Sequence, residues 1–304
     1  MQDKLSETIG TPVRLDAPLS DYTTFRIGGP ARYLCVARSG EQLAKCLEAA
    51  RESDVAFQVL GGGSNVLFDD GGFDGLVVVV GTGRVEVEGT TIWAEAGAPL
   101  SDVVDLACRA GLSGLAHAAG IPGTVGGALC GNAGAYGKAI GDRLVEAVVL
   151  SRDGTERRRV GPEELALGYR TSALKTTEDI VESISIELEE GDQATIWQEV
   201  GEVLERRRER LPEPSAACAG SFFKNLPPPR PGEHRTAAGK LLDECGCKGL
   251  RVGDAQVFER HANIIVNVGR ATAREVLRLA AEMRRRVEER FDVTLEPEVK
   301  VLVR

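Results

Sequence analysis

Residues 120–137, GIPGTVGGALCGNAGAYG, hold seven glycines and one proline among eighteen positions and no Lys, Arg, Asp or Glu. Glycine loses the most backbone entropy on ordering and packs nothing, so such a run suits neither a long helix nor a regular strand. A chain orders it where backbone must come close to something large and flat, or where left-handed conformations are needed at several positions. Amides exposed in loops of this kind cradle anions, phosphates above all. A plain pair of buried turns would use the same residues. A second cluster, GGGSN at 61–65, follows the apolar run AFQVL. Two glycine-rich loops, each after an apolar segment, favour a dinucleotide or another phosphate-bearing cofactor. GGGSN is not the fingerprint G-x-G-x-x-G, because no helical pattern opens after it, so a nicotinamide-binding Rossmann domain is poorly supported.

The remaining chain supplies the walls. At 304 residues it has room for two or three domains. Ser39 and Gln42 fit a capping box, and Leu43, Cys46, Leu47 and Ala50 line one helical face. With YLCVA, AFQVL and the buried run LVVVV at 76–80, this makes a small α/β lobe over residues 1–82. From Arg84 the texture alternates: VEVEG, TIWAEAG, EAVVLS, TERRRV and IVESISIELE read as strands, with a helix at 99–110. That is a second, sheet-rich lobe over 83–205, and a cofactor shared by both loops belongs between the lobes. Residues 193–210 read as one charged helix, and its arginine run ERRRER as a solvated helix end favoured by the C-terminal dipole. Residues 206–304 form a third, smaller α/β unit. In it Thr272 and Glu275 make a capping box, Val276, Ala280, Met283 and Val287 share a face, and TLEPEVKVLV closes as a strand.

Charge and cysteine usage narrow the function. A net charge of −9 argues against general nucleic-acid binding, so an anionic substrate needs a local basic cluster. The seven cysteines are odd in number and sit mostly in apolar segments, as reduced buried thiols do. CGC at 245–247 has no second Cys/His pair at ligand spacing, so no metal is expected. No apolar run reaches membrane-span length, and MQDKLSETIG carries no signal-peptide core. A cytoplasmic protein is expected.

Seven segments fall in one order: DYTTFRIGGPA, GGGSNVL, GIPGTVGGA with NAGAYG, GYRTS, AGSFFKN, HANIIVN and LEPEV. Together they resemble the UDP-N-acetylenolpyruvoylglucosamine reductases, also called UDP-N-acetylmuramate dehydrogenases, over roughly residues 20–302. The resemblance implies an α+β architecture: a two-lobed FAD-binding fold of the vanillyl-alcohol-oxidase type plus a C-terminal α/β substrate domain. It implies non-covalent FAD, with NADPH as co-substrate and UDP-N-acetylglucosamine enolpyruvate as substrate. Hydride then passes from reduced FAD to the enolpyruvyl C3 and a proton to C2.

Residue by residue, the family's proton donor falls on Ser221, its catalytic arginine on Arg170 and its catalytic glutamate on Glu298. These residue types suit the chemistry. A guanidinium meets developing carboxylate-enolate charge with paired donors, a carboxyl aids proton flow, and a positioned hydroxyl can protonate a strongly basic intermediate. Ser221 as a turn serine and Glu298 as a surface strand residue are the plain structural readings. Cofactor contacts are expected from Gly61, Gly62, Gly63, Ser64, Asn65, Gly123, Thr124, Gly126, Gly127, Asn132, Ala133 and Gly134. Substrate contacts are expected from Tyr169, Arg210, Asn225, Lys248, His261 and Lys300. The chain departs from the family at Lys300, often arginine, at Leu226, usually proline, and at Gly131, commonly larger. The extra tyrosine loop of one subgroup is missing, which places the chain with the shorter type. His117 in GLAHAAG is the one candidate for flavin attachment near these loops, and it reads as a packed loop histidine. A flavin-linked oxidase of the same fold predicts the glycine loops but not SFFKN and LEPEV together. A non-enzymatic flavin- or UDP-sugar-binding protein would have no need of Ser221.

Overall fold

The computed structural model describes residues 1–230 and 232–302. Their contacts divide the chain into two compact units: residues 1–17, 31–62 and 74–207, and residues 18–30, 63–73 and 208 onward.

The first unit has two larger sheets over one continuous apolar core. One sheet orders its strands Arg14–Pro18, Pro30–Ala37, Phe73–Val80 and Phe57–Leu60, the last two parallel. Helix Gly40–Glu52 begins as its sequence dictates: Ser39 Oγ accepts from the Gln42 amide at 3.1 Å, and Leu43, Cys46, Leu47, Ala49 and Ala50 are buried. Its Cys46 Sγ lies 3.3 Å from Cys35 Sγ, both thiols free. The helix Gln2–Ile9 packs against it through Leu5 and Ile9. Two apolar residues four apart are too weak a periodicity to reveal that helix in the sequence. The second sheet is antiparallel throughout, ordered Arg157–Val160, Leu144–Leu150, Ile180–Glu187, Thr91–Glu95 and Val85–Glu88. Helix Leu100–Arg109 packs on it, and helix Gln193–Arg210 adds Ile196, Val200 and Val203 to the core.

The second unit is built on an antiparallel sheet ordered Cys218–Ser221, Ile264–Asn267, Ala255–Val257 and Arg251–Val252. Helices Ala238–Glu244 and Ala273–Phe291 share its separate core, with Phe222, Phe223, Leu242, Val276, Met283 and Val287 fully or almost fully buried. Two early segments belong here. Phe25 and Ile27 enter the same core, and strand Val66–Phe68 runs parallel to the closing strand Lys300–Leu302. The GGGSN cluster is therefore divided. Gly61 and Gly62 end the first unit's strand, while Gly63, Ser64 and Asn65 open the second unit's. Local sequence placed all five in the first lobe, because nothing within the cluster announces a parallel pairing with a segment more than 230 residues later.

Thr272 Oγ1 accepts from the Glu275 amide at 3.1 Å, and the Glu275 carboxylate accepts from the Thr272 amide at 3.0 Å. Asp70 adds acceptors for the Ala273 amide at 2.6 Å and the Arg274 amide at 3.1 Å. Thr272→Ala should cost about 1 kcal/mol, read as a lower urea midpoint with an unchanged m-value.

Candidate active site

In the first unit the two glycine clusters come together. A Cβ added at Gly62 would lie 3.0 Å from Gly123 Cα, and one at Gly61 would lie 2.4 Å from Thr124 Oγ1. Glycine at these positions is what lets the two backbones approach. The Thr124 hydroxyl is buried and has no hydrogen-bond partner. Gly127 leaves space beside it, the nearest neighbour of an added Cβ being that same hydroxyl at 3.6 Å. A buried donor with nothing to bond costs free energy unless a ligand meets it. The cradle of Gly61, Gly62, Gly123, Thr124 and Gly127 fits an anionic cofactor group on that ground.

Other members of the expected cofactor set also bond or pack against the protein's own chain. The Val125 and Gly126 amides are spent on the Ala98 and Ala96 carbonyls, and a Cβ at Gly126 would lie 2.7 Å from Ala96 Cβ. Asn132 donates to the Gly168 carbonyl at 3.0 Å and accepts from the Gly141 amide at 3.1 Å. Ala133 bonds at its amide to the Ala128 carbonyl, and Gly134 sits in a hairpin where a Cβ would strike the Lys138 carbonyl oxygen. Gly63, at φ = 60°, lets Tyr22 pass so closely that a Cβ there would lie 2.0 Å from the Tyr22 carbonyl oxygen. Gly131 is a departure with room to spare, its nearest neighbour 3.7 Å from an added Cβ.

Arg170 stands in a tight turn closed by Gly168 and Thr171, which exchange backbone hydrogen bonds of 3.0 and 3.3 Å. Its φ of 55° is uncommon for a residue with a side chain. Its guanidinium lies 5.3 Å from the Tyr169 ring centroid, and the Lys175 ammonium donates to its carbonyl at 2.7 Å. The turn is pinned to the glycine-rich stretch by Asn132 and by Ser172, whose hydroxyl donates to the Cys130 carbonyl at 2.7 Å. Ser172 was missed in the sequence. Its one signal is its place in GYRTS, and nothing local shows that its partner lies forty-two residues upstream.

The second unit brings Ser221 and Glu298 to neighbouring segments. Strand Cys218–Ser221 pairs with Ile264–Asn267 through an irregular register in which four residues oppose three. Gly220, at φ = 70°, absorbs the extra residue and turns the chain into Ser221. Beyond it Phe222 accepts at its carbonyl from the Glu298 amide at 2.8 Å, Phe223 bridges Pro297, and the Lys224 amide donates to the Glu296 carbonyl at 2.9 Å. Asn263 locks this bend from behind. It is 2% exposed, accepts from the Phe223 amide at 3.0 Å and donates to the Phe223 carbonyl at 2.8 Å. Asn65 ties the same place, donating to the Glu298 carbonyl at 3.2 Å and accepting from the Lys300 amide at 3.0 Å. The segment DYTTFRIGG docks alongside, through Thr24 Oγ1 on the Cys218 carbonyl at 2.7 Å and Arg26 on the Ser215 carbonyl at 3.1 Å. Leu226 uses its amide on the Thr236 carbonyl at 3.0 Å, a bond that proline could not make.

Two basic residues of this unit, Lys248 and Arg210, act on His261. Burial pushes the His261 pKa down, and the charges of Lys248 and Arg210 push the same way. Its Nδ1 accepts from the Asn263 amide at 3.3 Å. Lys248 pairs with Asp243 at 2.7 Å, and Asn225 Oδ1 accepts from the Ala238 amide at 3.1 Å. Lys300 is exposed on the closing strand. His117 is 5% exposed in the first unit, and its pKa too is lowered, chiefly by burial.

The chain is 41% identical over 306 residues to UDP-N-acetylenolpyruvoylglucosamine reductase 2 of Symbiobacterium thermophilum, covering 99% of this chain and 96% of that one. It belongs to the UDP-N-acetylenolpyruvoylglucosamine reductase family. A Synechococcus member is 39% identical over 293 residues, covering 95% of this chain and 91% of its own. The family model for the C-terminal domain of the reductase matches residues 213–302, and an FAD binding domain matches 31–158. The crystal structure of the UDP-N-acetylenolpyruvylglucosamine reductase (MurB) from Thermus caldophilus superposes with a TM-score of 0.79 at 38% identity, over 95% of this chain and 99% of that one. The mixed α/β fold, an FAD-binding region followed by the family's C-terminal domain, is thus the one the sequence led us to expect. The cradle of Gly61, Gly62, Gly123, Thr124 and Gly127 lies inside the matched FAD-binding domain.

Two predictions follow from this geometry. Gly127→Asp should fold normally and lose bound flavin, because its carboxylate enters the cradle rather than the protein. Full flavin absorbance in the purified variant would show that the space beside Thr124 is not the cofactor's. The second concerns pH. The folded pKa values of His261 and His117 lie below the usual 6.5, so the folded state binds fewer protons than the unfolded. Stability from their neutral forms is present above about pH 6.5 and is lost as pH falls below it. Urea midpoints at pH 7, 6 and 5 should fall in that order, and His261→Gln should flatten part of the fall.

Proposed function

We propose that this chain is an NADPH-dependent, FAD-containing reductase that converts UDP-N-acetylglucosamine enolpyruvate to UDP-N-acetylmuramate. The observation that carries the reading is the Ser221 bend: in a member of the family, a serine after a left-handed glycine sits next to a segment bearing Glu298, held by Asn263 and Asn65. Residues 1–82 and 83–205 are the two FAD-binding lobes in this reading, and 206–304 is the substrate domain. FAD, when bound, supplies the hydride carrier between NADPH and the enolpyruvyl C3.

The chain's own residues do the rest. Thr124 and the glycines around it hold the anionic part of the cofactor. Ser221 donates the proton to C2. Arg170 offers the substrate carboxylate a planar pair of donors as charge develops beside it, and the turn closed by Gly168 and Thr171 fixes where that guanidinium starts. Glu298 hydrogen-bonds the reacting region and aids proton flow. Arg210, Lys248 and His261, with Tyr169, Asn225 and Lys300, bind the UDP-sugar, and the lowered pKa of His261 keeps it a neutral hydrogen-bonding group at neutral pH. FAD is held without a covalent bond. No helix among the described residues is long and apolar enough to cross a membrane, and a cytoplasmic site of action belongs to the same proposal.

Stopped-flow flavin absorbance separates the two half-reactions. Ser221→Ala should bleach with NADPH at close to the wild-type rate, yet recolour with the enolpyruvyl substrate more slowly by about 10²–10⁴-fold, the usual worth of a general acid. Arg170→Lys should be slow in the same half-reaction, because an ammonium lacks the paired geometry. A Ser221→Ala enzyme impaired only in the NADPH step, or in neither, would remove the serine from the mechanism.

A further inference from the structure

The residue before Ser221 gives it little support. Gly220 stands at φ = 70°, and a Cβ added there would meet none of the described residues within 4 Å. Glycine is the most permissive backbone unit, so a chain passing through it keeps freedom on that side. What fixes the direction of the Ser221 side chain therefore lies on the other side, in Phe222 and Phe223. Both are 2% exposed, and their rings meet edge to face with centroids 5.1 Å apart. Apolar burial is non-directional, so the orientation of this backbone rests on its hydrogen bonds.

Three of those bonds run to Asn263. The Phe222 amide donates to the Asn263 carbonyl at 2.8 Å, the Phe223 amide to Asn263 Oδ1 at 3.0 Å, and Asn263 Nδ2 to the Phe223 carbonyl at 2.8 Å. The remaining polar atom of Asn263, its amide nitrogen, donates to His261 Nδ1 at 3.3 Å. Nδ1 is thus an acceptor, which leaves the proton of the neutral ring on Nε2 as a donor. Gly239 makes room for both residues: a Cβ added there would lie 3.3 Å from His261 Cε1 and 3.6 Å from Asn263 Cβ. Asn263 therefore joins the histidine ring to the two residues that follow Ser221.

We propose that Asn263 is a positioning residue for the Ser221 hydroxyl, and that its backbone amide fixes the Nε2-protonated tautomer of His261. The inference rests on the reading that Ser221 is the proton donor. Asn263 itself moves no proton to the substrate. Its effect is confined to the step in which the hydroxyl gives up its proton, since reduction of the flavin by NADPH asks nothing of Ser221. Loss of the Asn263 side chain leaves the Phe223 amide and carbonyl without that partner in a buried place, and the bend has to shift to satisfy them. A misplacement of about 1 Å can cost about 10²-fold in rate.

Asn263→Ala removes both side-chain bonds. Asn263→Asp is the second variant should alanine fold poorly: it keeps the shape and one acceptor, and sets a carboxylate oxygen against the Phe223 carbonyl. Stopped-flow flavin absorbance is read for both, for Ser221→Ala and for Ser221→Ala with Asn263→Ala. Hydrogen exchange at the Phe223 amide reads the bend itself, and nitrogen NMR reads the ring of His261, one of three histidines. Both single Asn263 variants should bleach with NADPH at close to the wild-type rate and recolour with the enolpyruvyl substrate about 10- to 100-fold more slowly. Exchange at Phe223 should be faster in Asn263→Ala. The double variant should recolour no more slowly than Ser221→Ala, because without the hydroxyl nothing is left to position. Equal slowing of both half-reactions overturns the inference and makes Asn263 a purely structural residue. An unchanged recolouring rate in both variants overturns it too, as does a neutral His261 protonated at Nδ1 in the wild type. A double variant slower than Ser221→Ala by the full factor of Asn263→Ala would show the asparagine acting on another group, and also overturns it. A Ser221→Ala enzyme that recolours at the wild-type rate overturns the proton-donor reading and this inference with it.

Discussion

The hydrogen bond from the Glu298 amide to the Phe222 carbonyl is the joint on which the second unit's candidate site depends. It sets a segment near the chain's end beside the bend that follows Ser221. Every other tie at that place acts on one of these two segments. Asn263 satisfies both backbone groups of Phe223, and Asn65 reaches the Glu298 carbonyl. A buried amide bonded at both ends, as at Asn263, holds a bend more tightly than apolar packing alone, because any displacement leaves a polar group unsatisfied. The proton donor proposed at Ser221 needs that rigidity, since its reach is a hydrogen-bond length.

Glycine serves two purposes in this chain, and the difference is physical. At Gly63, Gly126 and Gly134 an added Cβ would strike the protein's own atoms, so glycine lets chain pack on chain. At Gly127 the space beyond is open, and the nearby Thr124 hydroxyl is unpartnered. Composition counts all four alike. Only the second kind leaves open space beside the chain.

The charges divide in a similar way. Among the described residues most ion pairs are exposed, such as Arg32–Asp74 and Arg285–Glu289, and contribute little to stability in water. Against a net charge of −9, the informative cations are those that act on a neighbouring titratable group. Lys248, itself paired with Asp243, and Arg210 lower the His261 pKa together.

The sequence by itself determined what rests on neighbouring residues. Ser39 with Gln42 and Thr272 with Glu275 start helices because a cap needs only three or four positions. The alternating strands of the second sheet follow from their period of two, and the order of seven motifs pointed to the family. Tertiary structure alone decided which residues meet. Gly62 and Gly63 are adjacent in the chain yet belong to different units, because strand Val66–Phe68 pairs with Lys300–Leu302. Asn132, an expected cofactor contact, is also a strut of the chain itself: its side chain donates to the Gly168 carbonyl and accepts from the Gly141 amide. Ser172 and Asn263 showed no role until Cys130 and Phe223 came to them. Local propensity is written in each residue's neighbours, whereas a hydrogen bond across forty or two hundred residues exists only once the chain has closed.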